Sequence, residues 1–412
     1  MPESPYPMLP VEEAIDIVLS QVHPLSPVGL PFTQVLGLVL AEDVHAAEPM
    51  PPFRAASVDG YAVIAADPSP ARRLVGEQMT GFIGDLHVTP GTAVRTTTGA
   101  PIPAGADAMV MVEFTEEQDG YVEIKTPVEA GSNIRPIGQD LEQGQLVLAR
   151  GTLLGAPEIG LLAMIGKSEV QVHPAPRVGV MSTGDELVEP DHPLKPGQIR
   201  DANRFSLMSA VREVGGVPID LGRISDKVTT LQESIENGLR QADALLTSGG
   251  VSMGQLDLVK PYLAERGTVH FGRVRAKPGK PVTFATLDSI PVFAMPGFPV
   301  SALVSFEIYV RPALLKMAGH SRLHRPRQRV TLAHHIRHAA GRTEFQRAIV
   351  TPDNHGRYTA TNTGLQGSGR LLSMHGANAL LILPFEQGDF PAGTQVEAII
   401  TGPLQETSST SA

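Results

Sequence analysis

The spacing of apolar residues changes along the chain, and these changes divide it into segments with different predicted structures. Six apolar residues near the N-terminus follow the i, i+3, i+4 spacing of an amphipathic helix that ends at Pro24: Val11, Ala14, Ile15, Val18, Leu19 and Val22. A shorter apolar helix is predicted over 157–165. Between the two, β-type runs alternate with glycine and proline turns, at 93–97, 108–113 and 121–125. The pattern predicts a β-rich inserted domain, 48–140, within a discontinuous helical domain formed by 1–47 and 141–174.

Past the linker Pro174-Ala175-Pro176, strand-like and helix-like runs alternate. Strands are predicted at 177–181, 217–221, 244–247, 282–285 and 292–295, and helices at 202–214, 229–241, 256–265 and from residue 300. Such alternation predicts an open, mostly parallel α/β sheet over 175–324, with ligands at the carboxyl ends of its strands. From 325 to 404, five β-type runs, at 329–333, 344–350, 358–361, 379–383 and 395–400, predict a small β-barrel or sandwich. The polar residues 405–412 are typical of a disordered tail.

One stretch of the α/β segment combines a strand, a glycine turn and a helix. The apolar run 244–247 leads into Ser248-Gly249-Gly250, and a helical pattern begins at Leu256. A strand that feeds a helix through glycines presents backbone N–H groups and a positive helix end to an anion. Gly249 and Gly250 leave room for a phosphate or oxyanion because they carry no Cβ. The stretch therefore indicates an anion-binding loop.

Carboxylates follow several of the predicted strands. Glu186, Asp226 and Asp257 stand beside the predicted anion loop, and such groups fit Mg²⁺, which prefers oxygen ligands and bridges phosphates. Asp226 and Asp257 also have a simpler explanation, because an acidic residue favours the start of a helix. Asp201 and Asn203 have the residue types of a helix cap. Several strand ends that converge on one crevice nevertheless favour a binding site.

Two turns carry further polar candidates. Lys277 and Lys280 flank Pro278-Gly279, a turn that aims two ammonium groups at one place, although surface lysines are usually only solvated. In the β-rich segment, Asp59 lies on an Asp-Gly turn and Thr98 on a hydroxyl-rich turn. By composition alone, the two turns that carry Asp59 and Thr98 are typical of ordinary loops.

Composition narrows the classes of function. The formal net charge of −10 argues against nucleic acid as a main partner. The absence of cysteine excludes disulfides and Cys-based metal sites, which fits a cytoplasmic protein. The most membrane-like stretch, 290–310, is interrupted by three prolines, a glycine and Glu307, so no membrane span is predicted. His334, His335 and His338 are not predicted to share a metal, since alternate strand residues point to opposite sides.

Eight short motifs occur in a specific order along the chain. They are SVDGYAV at 57–63, TTTGAPIPAGADAMVMVE at 96–113, STGDEL at 182–187, DANR at 201–204, SGGVSMG at 248–254, KPGKP at 277–281, MPGFPVS at 295–301 and GRTEFQR at 341–347. One such motif alone is weak evidence. Together they resemble the MoeA-type molybdopterin molybdenumtransferases, the family that includes the C-terminal domain of gephyrin. The resemblance covers nearly the whole chain, from Met8 to about Pro403.

The resemblance implies a specific reaction. Molybdate is inserted into adenylylated molybdopterin with release of AMP, which forms molybdenum cofactor with the help of a divalent cation such as Mg²⁺. It also implies a molybdopterin-binding-type α/β domain and a homodimer with an active site shared between subunits. The catalytic candidates carried over by motif are Asp59, Thr98, Asp140, Glu186, Asp226 and Asp257, of which Asp226 and Asp257 would hold the metal. The substrate-binding candidates are Ser248, Gly249, Gly250, Lys277, Lys280, Pro296 and Pro299.

Three departures from the usual family pattern and two alternative functions stay open. Gln139 replaces a carboxylate before Asp140, Val58 replaces a methionine, and Phe298 replaces the asparagine of Pro-Gly-Asn-Pro. We expect Phe298 to alter the floor of the pocket.

One alternative function is that of another enzyme on the same α/β fold, such as a molybdopterin adenylyltransferase or a nicotinamide-nucleotide amidohydrolase relative. The other is a non-catalytic scaffold, which the retained charged candidates disfavour. A molybdopterin adenylyltransferase and molybdoenzyme maturation proteins are the candidate partners.

Overall fold

The computed structural model describes residues 6–81, 84–250, 258–353 and 355–404. The chain divides into two compact units. The first contains Met1–Leu30, Val35–Ala41 and Gln171–Ala412, and the second contains Pro31–Gln34 and Glu42–Val170. The predicted fold class, an α/β sheet with a β-rich insertion and a C-terminal β-barrel, is confirmed. The four predicted domain boundaries remain a prediction.

The helices follow the apolar periodicity of the sequence. In the described part of the chain the α-helices are Val11–Gln21, Ala156–Met164, Asn203–Glu213, Val228–Leu239, Val259–Arg266, Pro299–Ser305 and Arg311–Met317, with a π-helical turn at Phe306–Val310 and 3₁₀ turns at Phe32–Gln34, Val112–Phe114 and Leu371–Met374. The predicted helix start at Leu256 lies outside the described residues. None of the helices in the described ranges is both long and apolar enough to cross a bilayer.

A six-stranded sheet forms the centre of the first unit. Its strands lie in the order Val217–Ile224, Arg177–Thr183, Ala244–Ser248, Ile290–Met295, Thr283–Leu287 and Thr268–Phe271. The first four strands run parallel to one another, and each of the last two pairs antiparallel with the strand before it in this order. Because parallel strands end at the same edge, the residues that follow these four strands come together there. Leu207 of the helix Asn203–Glu213 lies in one buried cluster with Leu246 of the central strand. Leu231 of the helix Val228–Leu239 lies in a second buried cluster with Leu245 of the same strand. Apolar side chains therefore pack on both faces of the sheet, as its continuous apolar strands predict.

The C-terminal strands close into a barrel. Their order is Ala276–Lys277, Thr343–Pro352, Tyr358–Asn362, Arg327–Leu332, Gln395–Ile400 and Ala379–Leu383. An additional pairing between the second and last of these closes five strands on themselves. The two-residue strand Ala276–Lys277 comes from the α/β segment and adds to the barrel in parallel, with Lys277 opposite Glu344. The barrel and the α/β sheet are thereby joined beside Lys277.

The second unit contains the β-rich insertion. Its six-stranded sheet has the order Ala108–Met111, Gly60–Val63, Thr92–Thr96, Ala71–Gln78, Tyr121–Ile124 and Thr115–Gln118. Smaller sheets elsewhere pair Ile134–Arg135 with Ala55–Ala56, Leu146–Leu148 with Val44–His45, Leu187–Val188 with Ile199–Arg200, and Glu169–His173 with Val28–Pro31 and Val39–Leu40. Ala62 and Val94 lie in one buried cluster and their neighbours Val63 and Ala93 in another, so this sheet too is covered on both faces.

Replacing Gly60 by alanine should destabilise this unit. A Cβ at Gly60 would lie 1.8 Å from the carbonyl oxygen of Val110, so the strands would have to separate. We expect a loss of about 3 kcal/mol in the free energy of unfolding. Gly160, in the helix Ala156–Met164, has nothing within 4 Å of such a Cβ, and Gly160→Ala should stabilise by about 0.5–1 kcal/mol. Thermal denaturation of both variants checks this, and equal effects would contradict it.

Candidate functional site

One amide side chain ties together the loops at the carboxyl edge of the α/β sheet. Asn203 Nδ2 donates to Ser248 Oγ at 2.6 Å and to the carbonyl oxygen of Gly297 at 2.7 Å. Ser248 ends the central strand, and the backbone N–H of Gly249 donates to the carbonyl oxygen of Met295 at 3.1 Å. Of the two residues predicted to cap this helix, Asp201 accepts a hydrogen bond from the backbone N–H of Arg204 in its first turn, whereas Asn203 binds the loops instead. It fixes the loops that follow two neighbouring strands.

The glycine turn after the central strand requires glycine at two successive positions. Gly249 and Gly250 have φ values of +92° and +64°, a region that other residues rarely adopt. A Cβ at Gly249 would also lie 2.5 Å from the carbonyl oxygen of Thr183, and one at Gly250 would lie 2.8 Å from Val259 Cγ2. The backbone therefore packs closely on the neighbouring strand. Residues 251–257, which include Asp257, lie outside the described residues.

Carboxylates gather next to this turn. The backbone N–H of Asp226 donates to Asp185 Oδ1 at 3.2 Å. Burial is the main reason that the pKa of Asp226 lies above its ordinary value, and the negative charges of Asp185 and Glu186 raise it further. Asp226 and Gly250 line the same small hollow. The predicted residues Glu186, Asp226 and Gly250 are thus brought together, and a cation here would relieve the repulsion among the carboxylates.

A hard divalent cation fits this donor set in part. No three acidic or histidine side chains in the described ranges are arranged to hold a metal by themselves. Mg²⁺, however, is usually bound by one or two carboxylates and completes its shell with substrate phosphates and water. Asp226 fits as one such carboxylate. Asp257, the second predicted ligand, is outside the described residues, so the full ligand set stays a prediction.

The DANR motif stabilises the scaffold beneath these loops. Asp201, which is buried, accepts a hydrogen bond from Ser182 Oγ and another from the backbone N–H of Arg204 at 3.1 Å. The guanidinium of Arg204 donates to both carboxylate oxygens of Asp220 and of Glu189, at 2.6–2.7 Å. Arg204 and Asp201 are buried, whereas Glu189 and Asp220 are 40% and 41% exposed. Because the guanidinium itself is buried, removing its carboxylate partners would leave an uncompensated charge, which is destabilising. Asp201 and Arg204 therefore position the strand ends and the helix that carries Asn203.

The two predicted lysines have different surroundings. Lys277 ends the short strand Ala276–Lys277, and its Nζ lies 3.0 Å from Glu344 Oε1. Lys280 follows the Pro278-Gly279 turn, and within the described parts of the chain its ammonium has no hydrogen-bond or ion-pair partner. A turn at these positions was predicted, but the pairing of Lys277 with a buried carboxylate was not. That pairing fixes the direction of the Lys277 side chain.

A loop of the C-terminal barrel meets the last strand end of the α/β sheet. Pro296 and Pro299 flank Phe298, and the N–H of Val300 donates to the carbonyl oxygen of Ser368 at 3.0 Å. Phe298 is 63% exposed and lies beside Gly369, where an added Cβ would be 3.4 Å from its ring. Phe298 is therefore a surface group at this loop rather than part of a buried floor.

Arg347 anchors the same loop and was not singled out by the sequence. Its side chain is fully buried, and its Nε donates to Ser373 Oγ at 3.1 Å. Burial lowers the pKa of Arg347 to about 10, although the nearby charge of Glu344 opposes that shift. Among the described residues its hydrogen bonds go to one hydroxyl and to carbonyl oxygens, and none goes to a carboxylate. The charge of the buried guanidinium is therefore not neutralised by a hydrogen-bonded carboxylate among these residues.

In the second unit, the structure brings Asp59 and Thr98 together. The backbone N–H of Thr98 donates to Asp59 Oδ1 at 2.7 Å, and this hydrogen bond holds the pKa of Asp59 below its ordinary value. Thr80 Oγ1 donates to the carbonyl oxygen of Thr98 at 2.7 Å. Asp59 and Thr98 are both exposed. The Asp-Gly turn therefore presents an ionised carboxylate to solvent, held in place by the hydroxyl-rich turn.

Asp140 lies elsewhere in the second unit and pairs with Arg135. The guanidinium of Arg135 donates to Asp140 Oδ2 and also to Gln139 Oε1, the latter at 3.3 Å. Both charged side chains are more than a third exposed, and exposed pairs contribute only about 0–1 kcal/mol. The contact orients Asp140 without burying it. Gln139 still accepts a hydrogen bond where the family pattern has a carboxylate.

The sequence matches three family models in succession. These are the MoeA N-terminal region (domain I and II) over residues 9–166, the probable molybdopterin binding domain over 179–316, and the MoeA C-terminal region (domain IV) over 329–401. Together they cover most of the chain, including every predicted site residue.

Relatives of similar sequence carry consistent names. Molybdopterin molybdenumtransferase 2 of Mycobacterium tuberculosis is 36% identical over 95% of this chain and 99% of its own. Molybdopterin molybdenumtransferase of Haemophilus influenzae is 34% identical over 94% and 98%. Gephyrin of Dictyostelium discoideum is 38% identical over 97% of this chain, which spans 63% of that longer protein.

Solved structures resemble the fold over the same extent. A crystal structure of the molybdopterin biosynthesis MoeA protein from Pyrococcus horikoshii has a TM-score of 0.84 and 30% identity, covering 96% of this chain and 100% of its own. A second structure of a MoeA protein from the same organism has a TM-score of 0.77 and 29% identity, with the same coverage. The likeness therefore includes the α/β sheet, the β-rich insertion and the barrel.

Proposed function

The chain belongs to the MoeA family of molybdopterin molybdenumtransferases, and we propose that it inserts molybdate into adenylylated molybdopterin with release of AMP. One observation supports this most directly. A glycine turn and the carboxylate of Asp226, whose pKa is raised, share one hollow at the carboxyl edge of a parallel sheet. That edge is where α/β sheets of this kind bind phosphate-bearing ligands.

The loops at the strand ends would bind the pyrophosphate part of the substrate. Gly249 and Gly250 admit an anion close to the backbone, and Asn203 holds Ser248 in place. Asp226, together with Asp257, would hold Mg²⁺. When bound, Mg²⁺ would neutralise charge on the pyrophosphate and on the departing AMP. Glu186 would position a substrate hydroxyl or a water molecule beside it.

Molybdate would bind at the lysines. It is a dianion, and Lys277 and Lys280 offer two ammonium groups on one short segment. Pro296 and Pro299 would shape the adjoining loop, where Phe298 presents an exposed ring. The dithiolene of the substrate supplies the sulfur ligands to molybdenum. The lack of cysteine in the chain is therefore no obstacle to molybdenum insertion.

The second unit would complete the site in a homodimer. Asp59, Thr98 and Asp140 would act in the active site of the partner subunit, as the family resemblance implies. A symmetric dimer forms two equivalent sites in this way. We further propose a cytoplasmic location and contacts with a molybdopterin adenylyltransferase and molybdoenzyme maturation proteins, which would supply the substrate and receive the product.

We expect the purified protein to release AMP from adenylylated molybdopterin only when both molybdate and a divalent cation are present. Chromatographic measurement of AMP checks this, with EDTA and with molybdate omitted as the two controls. Release that continues in EDTA would contradict the role of the cation. No release under any of these conditions would contradict the proposed function itself.

A further inference from the structure

A buried carboxylate joins Lys277 to a histidine. Glu344 Oε1 lies 3.0 Å from Lys277 Nζ, and Glu344 Oε2 lies 2.8 Å from His338 Nδ1. The side chain of His338 is 0% exposed and that of Glu344 is 3% exposed, whereas that of Lys277 is 39% exposed. The carboxylate is therefore held between two nitrogen atoms, and only Lys277 reaches solvent.

The partners of His338 determine where its protons lie. Its Nε2 is 3.1 Å from the carbonyl oxygen of Pro384, which can only accept a hydrogen bond. Its Nδ1 faces the carboxylate of Glu344. A neutral imidazole has one N–H, so it would direct a lone pair at one of these two oxygens unless Glu344 were itself protonated. The other carboxylate oxygen of Glu344 faces the ammonium of Lys277, which can only donate. Hydrogen bonds from His338 to both of its oxygen partners require an N–H on each ring nitrogen.

We infer that His338 is a positioning residue, an imidazolium that neutralises Glu344 and leaves the charge of Lys277 uncompensated for an anionic substrate. The inference rests on the proposed role of Lys277 in binding molybdate. The three groups together carry one positive charge, whereas with a neutral His338 they would carry none. The carboxylate thus directs the Lys277 side chain without cancelling its attraction for a dianion.

The backbone around the three groups supports this arrangement. Lys277 and Glu344 are opposite each other in parallel strands, so the register of the barrel sets their separation. The backbone N–H of His338 donates to Asp389 Oδ1 at 2.7 Å, and its ring packs beside that of Phe390 at 5.8 Å. A long lysine side chain is otherwise free to rotate about four bonds. The contact with Glu344 holds the Lys277 side chain in one direction.

A pair of variants tests the role of the charge. His338→Gln removes the positive charge that faces Glu344 but keeps an amide that can donate to it. The buried carboxylate is then left to neutralise Lys277, which should raise the KM for molybdate about tenfold. The KM for adenylylated molybdopterin should change much less. In the double variant His338→Gln with Glu344→Gln, that carboxylate is gone, so the KM for molybdate should return most of the way to the wild-type value. A merely structural role predicts that the double variant is worse than either single variant.

A spectroscopic measurement tests the protonation state independently of activity. In wild-type protein labelled with ¹⁵N in histidine, the ring shifts of His338 at pH 7 should be those of a doubly protonated imidazole, with the signal assigned from its loss in His338→Gln. A neutral ring would overturn the inference, as would an unchanged KM for molybdate in an active His338→Gln enzyme. A wild-type protein that releases no AMP would instead contradict the proposed function, while the ring shifts would still decide the protonation of His338.

Discussion

Asp226→Asn should abolish most of the AMP release and, at the same time, stabilise the metal-free protein. The activity should fall about 100-fold, because an amide is a poorer ligand for Mg²⁺ than a carboxylate and carries no charge to attract it. The variant is nearly isosteric, so the packing around the strand ends should be retained. Steady-state AMP release and thermal denaturation in EDTA together measure the two effects.

The sign of the stability effect follows from the pKa of Asp226. Its pKa in the folded protein is raised above the ordinary value of 3.8, mainly by burial and then by Asp185 and Glu186. The folded state thus binds this proton more tightly than the unfolded state does. Stability is lost as the pH rises from the ordinary pKa to the raised one, and at neutral pH the ionised carboxylate is destabilising. Asparagine removes that penalty, so the difference in Tm between variant and wild type should narrow toward acidic pH.

Asp220→Asn is the matched control, because Asp220 lies on the strand Val217–Ile224 that leads into Asp226 but has a cationic partner, Arg204. Burial alone would raise the pKa of Asp220, yet the hydrogen bonds from Arg204 and the N–H of Gly222 lower it overall. Asp220→Asn should therefore lower the Tm of the metal-free protein. Added Mg²⁺ should raise the Tm of the wild type and of Asp220→Asn, but not that of Asp226→Asn. A lower Tm in metal-free Asp226→Asn, or full activity, would show that Asp226 has a structural role.

The elements that the sequence predicted well are those whose periodicity is local. The barrel strands Ala379–Leu383 and Gln395–Ile400 were predicted with the observed bounds, and the N-terminal helix ends one residue before the last periodic position. The strand Ala276–Lys277 was missed because two residues carry no periodicity. That strand exists only because the barrel strand Thr343–Pro352 offers it a partner, which is a tertiary effect.

The candidate site was predictable only in residue type. Motifs identified Ser248, Gly249 and Asp226, since glycine turns and carboxylates after strands have a chemical meaning that spacing reveals. The role of Asn203 depends on Ser248 and Gly297, which lie 45 and 94 residues away along the chain. His338 was considered only as a metal ligand in the sequence. Its contact with Glu344 depends on how the barrel places the two side chains, and no periodic pattern encodes that.

Two inactive variants should restore activity to each other if the active site is shared between subunits. Asp59→Ala and Asp226→Ala chains, each inactive alone, would be unfolded, mixed in equal amounts and refolded. Random pairing makes about half of the dimers mixed. In each mixed dimer, twofold symmetry gives one site both defects and the other site none. Activity should therefore recover to about a quarter of the wild-type value.

A second mixture separates a shared site from simple rescue by refolding. Glu186→Ala and Asp226→Ala change residues that lie near each other in the same unit of one chain, so every site in their mixed dimers keeps one defect. That mixture should recover no activity. Heterodimers can be verified by placing different affinity tags on the two chains and purifying over both. Recovery in the second mixture, or none in the first from doubly purified heterodimers, would mean that Asp59 and Asp226 do not act in one site across the dimer.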